Sequence, residues 1–320
     1  MKHVVVSLME RKKDDPMIPH IRGLHHVTAF AGPPQTNNRF FTETLGLRRV
    51  KTTVNFDNPE VYHLYYGDAE GTPGTVITHF PAHHWKTGVR GAGEVAVTAF
   101  SVPKGSLDWW QSRVGGEVTS TFNDPRLLFP GPDGETLAVV EADDPRRGWI
   151  TLPEDVAIRG FHSVALKVRD PLPTIELLSA MGYRELGVEG RTTRMIMDGP
   201  AGVIDVIGAA EEIHADSGAG SVHHIAFATP DDATQAEVRD AVVEMGLKPT
   251  EVRDRTYFHS IYFREPGGVL FEVATCDIGF DVDEAPTALG EHLKLPDQHA
   301  HLRPRLLQTL DPLPDLDLAG

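Results

Sequence analysis

An α+β fold built from four βαβββ modules is predicted by three observations on this 320-residue chain. A strand signature near the start, Leu24-His25-His26-Val27-Thr28-Ala29-Phe30, returns as Val222-His223-His224-Ile225-Ala226-Phe227-Ala228. Two further segments of the same alternating character lie between them, and each of the four leads through a helix-like stretch to a Pro/Gly turn and a last apolar run. Self-similarity at so long a period marks a chain assembled from repeated supersecondary units.

The opening strands are predicted over Gly23 to Phe30, Glu94 to Val102, Gly160 to Val168 and Ser221 to Thr229, from period-two alternation and β-branched residues. The helical stretches contain Phe40-Phe41, Leu107 to Trp110, Ile175 to Leu178, and Ala233 to Met245. Closing strands follow the turns at Pro73-Gly74, Pro132-Asp133-Gly134, Pro200-Ala201-Gly202 and Pro266-Gly267-Gly268. The polar, turn-rich stretch 141–148 separates modules two and three. It divides the chain near residue 150 into an N-terminal pair of modules, 21–150, and a C-terminal pair, 151–279. Residues 1–20 form an N-terminal extension. The tail, 280–320, is broken by Pro286, Pro296, Pro304, Pro312 and Pro314 and is expected to wrap the surface.

With 46 acidic against 30 basic residues, a net charge of −16 and no long basic run, the chain lacks the electrostatic footprint of a nucleic-acid binder. Small molecules are the expected partners. Cys276 is the single cysteine, which excludes an intramolecular disulfide and any cysteine-cluster metal site and fits a reducing cytoplasm. No window approaches the roughly twenty apolar residues that cross a bilayer. Val4 to Met9, followed by Arg11, Lys12 and Lys13, does not make a signal peptide. A cytoplasmic protein with no membrane partner is expected, and its oligomeric state, a homo-oligomer included, stays open.

Aligning the module openings sets His26 and His224 against Ala96 in module two and Ser163 in module three. Aligning the closing strands on their turns sets Glu272 against Ala138 and Val206. Imidazoles and a carboxylate confined to the outer modules point to a site shared by modules one and four. Glu272 lies in an apolar run, where an ionised group is costly unless it is paired or bound to metal. Its alternative partners are Arg255 and Arg264. Two histidines and one glutamate make the facial triad that leaves positions open on non-haem Fe(II). Because strand neighbours face opposite ways, His26 and His224 are the expected ligands. His25 and His223 are expected to hold ligand tautomers, or to meet the substrate if the strand is bulged. Arg255 is a candidate for stabilising a phenolate, and Tyr262 for donating a hydrogen bond to bound oxygen or substrate. Trp109-Trp110, Phe40-Phe41 and Tyr65-Tyr66 are assigned to packing.

On these residues the chain resembles the vicinal oxygen chelate superfamily, and within it the ring-cleaving hydroquinone dioxygenases. The resemblance covers nearly the whole chain and includes Gly23 to Gly32, Tyr62-His63-Leu64-Tyr65-Tyr66, Arg159 to Ser163, His223 to Phe227, Pro266 to Glu272 and the tail stretch Leu289 to Pro296. It implies that the modules pair into two open barrel-like sheets. It further implies Fe(II) held by His26, His224 and Glu272, with His25, Thr28, His223, Arg255 and Tyr262 lining the pocket of an aromatic diol cleaved with O₂. Mn(II) suits the same donors nearly as well. His79 aligns on its turn with Glu272 and departs from the family pattern. As a fourth donor it would favour a glyoxalase-like isomerase. A drug-binding member of the superfamily without metal is the remaining alternative.

Overall fold

The computed structural model describes residues 17–314 and 316, so most of the expected N-terminal extension lies outside the described residues. In chain order the strands are β1 (Leu24–Ala31), β2 (Arg48–Val54), β3 (Tyr62–Gly67), β4 (Val76–Pro81), β5 (Glu94–Val102), β6 (Glu117–Thr121), β7 (Asp124–Pro130) and β8 (Thr136–Glu141). They continue as β9 (Gly160–Val168), β10 (Arg184–Glu189), β11 (Thr192–Ile196), β12 (Val203–Gly208), β13 (Val222–Thr229), β14 (Arg253–Asp254), β15 (His259–Arg264) and β16 (Leu270–Thr275). The four predicted opening strands are β1, β5, β9 and β13.

These strands form two open, curled sheets of eight, in the orders β14-β15-β16-β13-β1-β4-β3-β2 and β10-β11-β12-β9-β5-β8-β7-β6. In each module the opening strand runs parallel to the closing strand, as β1 does to β4 and β13 to β16. A parallel pair needs a crossover, and the helix after each opening strand supplies it. Each module alone would leave its opening strand as an exposed edge. Joining β1 to β13, and β5 to β9, removes those edges. Outer modules thus pair with each other, as do inner ones, and neither half of the chain closes a sheet of its own.

The crossover helices are α1 (Pro34–Arg39), continuing as a π-helical turn over Phe40–Thr44, then α2 (Leu107–Val114), α3 (Pro171–Ala180) and α4 (Asp232–Glu244). Pro34 and Pro171 stand in the first turns, where a missing N–H costs nothing. Asp231 and Thr234 cap α4 reciprocally. The helices cover the convex faces, and one apolar core joins both sheets through Val27, Phe100, Phe161 and Phe227. Phe41 and Trp110 are fully buried there, as their packing assignment requires.

The tail does close over the first sheet. Leu293 bridges to Thr52 on β2, and Gly290, at φ 78°, lies so near Arg49 that a Cβ would sit 2.1 Å from its carbonyl oxygen. The fully buried Lys51 ammonium is held by Asp283 at 2.6 Å and Glu284 at 2.5 Å. Phe280 and Leu289 from the tail, with Tyr257 and Phe258, then form an apolar floor beneath the concave face. The last helix, α5 (Arg303–Thr309), packs through Leu306.

Candidate metal centre

The β1–β13 ladder carries one bulge on each strand. Pairing passes from Leu24↔Phe227 to His26↔Ala226, leaving out His25, and from Thr28↔His224 to Ala29↔Val222, leaving out His223. A bulge re-aims the extra side chain. Plain alternation would send the members of each His-His pair to opposite faces, whereas the bulges bring both to the concave side. His25 and His26 approach to 2.9 Å through their Nδ1 atoms, and both rings pack on Phe258. His223 and His224 repeat the contact at 2.7 Å.

Glu272 enters from β16, in register with Ala226. Its Oε2 lies 2.8 Å from His224 Nε2 and 3.4 Å from His26 Nε2, and the two Nε2 atoms are 3.2 Å apart. Ser260 donates to the other carboxylate oxygen, while Oε2 is buried without a hydrogen-bond partner of proper geometry among the described residues. Neither Arg255 nor Arg264 pairs with it: Arg255 turns to Asp57, and Arg264 donates to the Gly268 carbonyl. Burial alone would raise the Glu272 pKa, but His26 and His224 pull it well below the usual carboxylate range. Burial lowers the pKa of His224, which Glu272 only partly offsets.

Neighbouring donors around one cation, at bonds of about 2.1 Å, stand about 3 Å apart. The observed triangle has that spacing. A buried carboxylate oxygen aimed at imidazole edges lacks a counter-charge, and a divalent cation would supply it. His26, His224 and Glu272 therefore fit a metal, and because they lie on one side of it they would leave the facing positions open.

His25 and His223 determine which nitrogen each inner histidine presents. For Nε2 of His26 to offer a lone pair at the common point, its Nδ1–H must donate to His25 Nδ1, and the same holds for His224 and His223. Burial first, then the adjacent His26 or His224, pushes both outer imidazoles down to about 3, so they are neutral acceptors. Thr28 lies on the same face and shares a 2.7 Å hydrogen bond with Thr78. Tyr262, in register with Glu272, packs its ring on His224 and accepts at 3.2 Å from Arg255 Nε. Burial, and then the Glu272 charge, raises the Tyr262 pKa, so its hydroxyl keeps a proton to donate. All eight residues singled out from the sequence thus line one concave face.

His79 does not join them. The turn before β4 is one residue shorter than the turn before β16, so the position matching Glu272 is Thr78, paired with Thr28 as Glu272 is with Ala226. His79 faces the helices, with its ring 4.3 Å from Phe41, and its Nδ1 is buried without a partner among the described residues. The same one-residue slip affects the inner modules: the bulge at Ala96 makes Val97 the counterpart of His26, and Asp205, not Val206, matches Glu272. Burial pushes His79 down to about 3 from 6.5. Between those values the unfolded chain binds a proton that the folded chain does not, so stability falls as pH drops through this window. His79→Phe is expected to flatten that acid limb by about 1.4 kcal/mol per pH unit, leaving activity intact. Urea unfolding from pH 7 to pH 4 checks this; an unchanged slope would show that His79 is already solvated.

The sequence reading missed His63, Tyr65 and Ser260. His63 bonds to Thr78 Oγ1 and to Tyr65 OH, each at 2.8 Å, which extends a polar chain from Thr28 across the wall. Tyr66 packs as expected, stacked on Phe41, and Tyr65 packs on Phe280 while its hydroxyl also reaches His63. Alternation along Tyr62-His63-Leu64-Tyr65 carried the signal, since His63 and Tyr65 share a face.

The family model of the Glyoxalase/Bleomycin resistance protein/Dioxygenase superfamily matches residues 101–273. MhqO of Bacillus subtilis (strain 168), provisionally named a ring-cleaving dioxygenase, is 40% identical over 299 residues, 91% of this chain and 96% of its own. The chlorohydroquinone/hydroquinone 1,2-dioxygenase of Sphingobium indicum is 36% identical over 313 residues, 92% of this chain and 97% of its own. A crystal structure of a provisionally named dioxygenase from Bacillus subtilis superposes with a TM-score of 0.89 at 39% identity, covering 93% of this chain and 99% of that one. With two curled sheets of paired modules and relatives alike over nine-tenths of its length, the chain belongs to the glyoxalase/bleomycin resistance protein/dioxygenase superfamily, beside its ring-cleaving hydroquinone dioxygenases.

Proposed function

We propose that this protein is an Fe(II)-dependent, extradiol-type ring-cleaving dioxygenase acting on a hydroquinone, with or without ring substituents. The observation that carries the reading is the convergence of His26, His224 and Glu272 on one buried point. Relatives named for hydroquinone cleavage support the substrate class. A single cysteine supports a reducing compartment such as the cytoplasm. No helix among the described residues is long and apolar enough to cross a membrane.

His26, His224 and Glu272 would hold the ion, which supplies a redox-active centre where diol and O₂ can meet. The chain's own groups do the rest. The Arg255 guanidinium, stacked between Phe56 and Tyr262, provides positive charge for an ionised diol oxygen. The Tyr262 hydroxyl donates to oxygen-bearing groups, and neutral His25 and His223 keep the inner imidazoles in tautomer. Thr28 and His63 offer polar contacts on the opposite wall, and Phe258 gives an aromatic ring something to pack against. Both atoms of O₂ end in the ring-opened unsaturated acid or acyl product.

The isomerase reading loses its support with His79 turned away, and the metal-free binding reading leaves the triad unexplained. Anaerobic reconstitution with Fe(II) or Mn(II), followed by oxygen uptake with hydroquinone, methylhydroquinone, chlorohydroquinone and catechol, tests the proposal. Uptake matching ring opening one for one is expected with Fe(II) and a para diol. Turnover of a thiol hemiacetal without oxygen uptake would replace it with isomerisation.

A further inference from the structure

The concave face of the second sheet repeats the backbone layout of the first, bulge for bulge. The β5–β9 ladder has its own pair of bulges, at Ala96 and His162. Matching them to those at His25 and His223 sets Val97 in the place of His26, Ala99 in that of Thr28 and Ser163 in that of His224. Asp205 pairs with Ala165 as Glu272 does with Ala226, and Arg194 pairs with Asp205 as Tyr262 does with Glu272. On the far side Leu128 pairs with Ala138 as Tyr65 does with Thr78, so Arg126 falls where His63 stands.

Without the two inner imidazoles this face has lost the donors of a metal site, yet it has kept charged groups. Arg194 uses its Nε and Nη2 edge to grip both oxygens of Asp205, at 2.7 and 2.8 Å, and its Nη1 donates to Asp124. Both acids are thereby engaged. Arg126 is only 6% exposed, and its own Nε and Nη2 are buried with no partner among the described residues. Those two atoms are the fork that Arg194 closes on a carboxylate. A buried guanidinium edge left without an acceptor is costly, and buried polar groups are otherwise almost always satisfied. Ala99 and Ala138 are fully covered on this face, and the half-buried Val97 and Leu128 packed against them are where it meets solvent.

We propose that the concave face of the second sheet is a binding site for a small carboxylate, gripped by the Nε and Nη2 edge of Arg126, with the half-buried Val97 and Leu128 against its carbon skeleton. A planar, singly charged acceptor with two oxygens matches that fork. The nearby Asp124 and Asp205 disfavour a doubly charged phosphate. The proposal does not depend on ring cleavage.

Trifluoroacetate, followed by fluorine NMR with acetate, phosphate and chloride as competitors, tests it on the intact chain. Saturable binding displaced by acetate is expected, weakened roughly tenfold or more in Arg126→Gln, less in Arg126→Lys, and unchanged in His26→Ala. Equal binding in Arg126→Gln, loss in His26→Ala, or displacement by chloride and phosphate as effective as by acetate would each overturn it. Should Arg126→Gln fail to fold, the Arg126 Nε–H resonance of the unaltered, nitrogen-15-labelled protein decides. Movement on titration is expected, and a fixed resonance would overturn the assignment.

Discussion

Glu272→Gln is expected to remove divalent metal binding and, with it, turnover. The amide keeps the shape of the side chain and a partner for Ser260, but it deletes the only negative charge of the triad. Two neutral imidazoles remain to hold a cation in a site closed to bulk water. Removing groups that merely orient ligands costs roughly 10–100-fold in metal affinity, and losing a charged donor costs more. Metal content after reconstitution and dialysis should fall to background, oxygen uptake should vanish, and the rise in Tm that bound metal produces should disappear. Circular dichroism separates this from unfolding. A variant that keeps one ion per chain would show that the ion, and the chemistry, lie elsewhere.

Arg255→Met is expected to reduce kcat/KM for hydroquinone by roughly 10²–10³-fold, the scale of losing one fixed donor to a developing oxyanion. Tyr262→Phe is expected to cost roughly tenfold to a hundredfold, as one hydrogen bond to a charged group. Arg255 Nε donates to the Tyr262 hydroxyl, so the two act as a unit. Their effects should not add: the double variant should be close to Arg255→Met alone, and metal content should match the unaltered protein in all three. A double-mutant cycle with full additivity would separate the two residues. Loss of metal in Arg255→Met would make its role structural.

The repeat and its chemistry were legible because they are properties of residue type and spacing. Four openings with alternating apolar positions must bury one face each, and the His-His pairs and the lone Glu272 stand out against that pattern. His63 and Tyr65 were harder to see, because a histidine and a tyrosine on one strand look like ordinary packing until Thr78 and Thr28 are set beside them. The shared site tied modules one and four together, but the strand edges that join them, β1 to β13 and β5 to β9, were out of reach, because they depend on which edges meet in space.

Identity and periodicity along the chain determined that two imidazole pairs and one carboxylate would share a strand-built site. Tertiary structure alone decided how they face. The bulges at His25 and His223 override the two-residue period and bring both members of each pair to the concave side. A turn shorter by one residue sends His79 to the helices and, in the inner modules, register makes Asp205 the counterpart of Glu272. The physical reason is that a strand's side chains alternate strictly, so a slip of one residue exchanges its faces, and only the hydrogen-bonded partner strand settles where such a slip occurs.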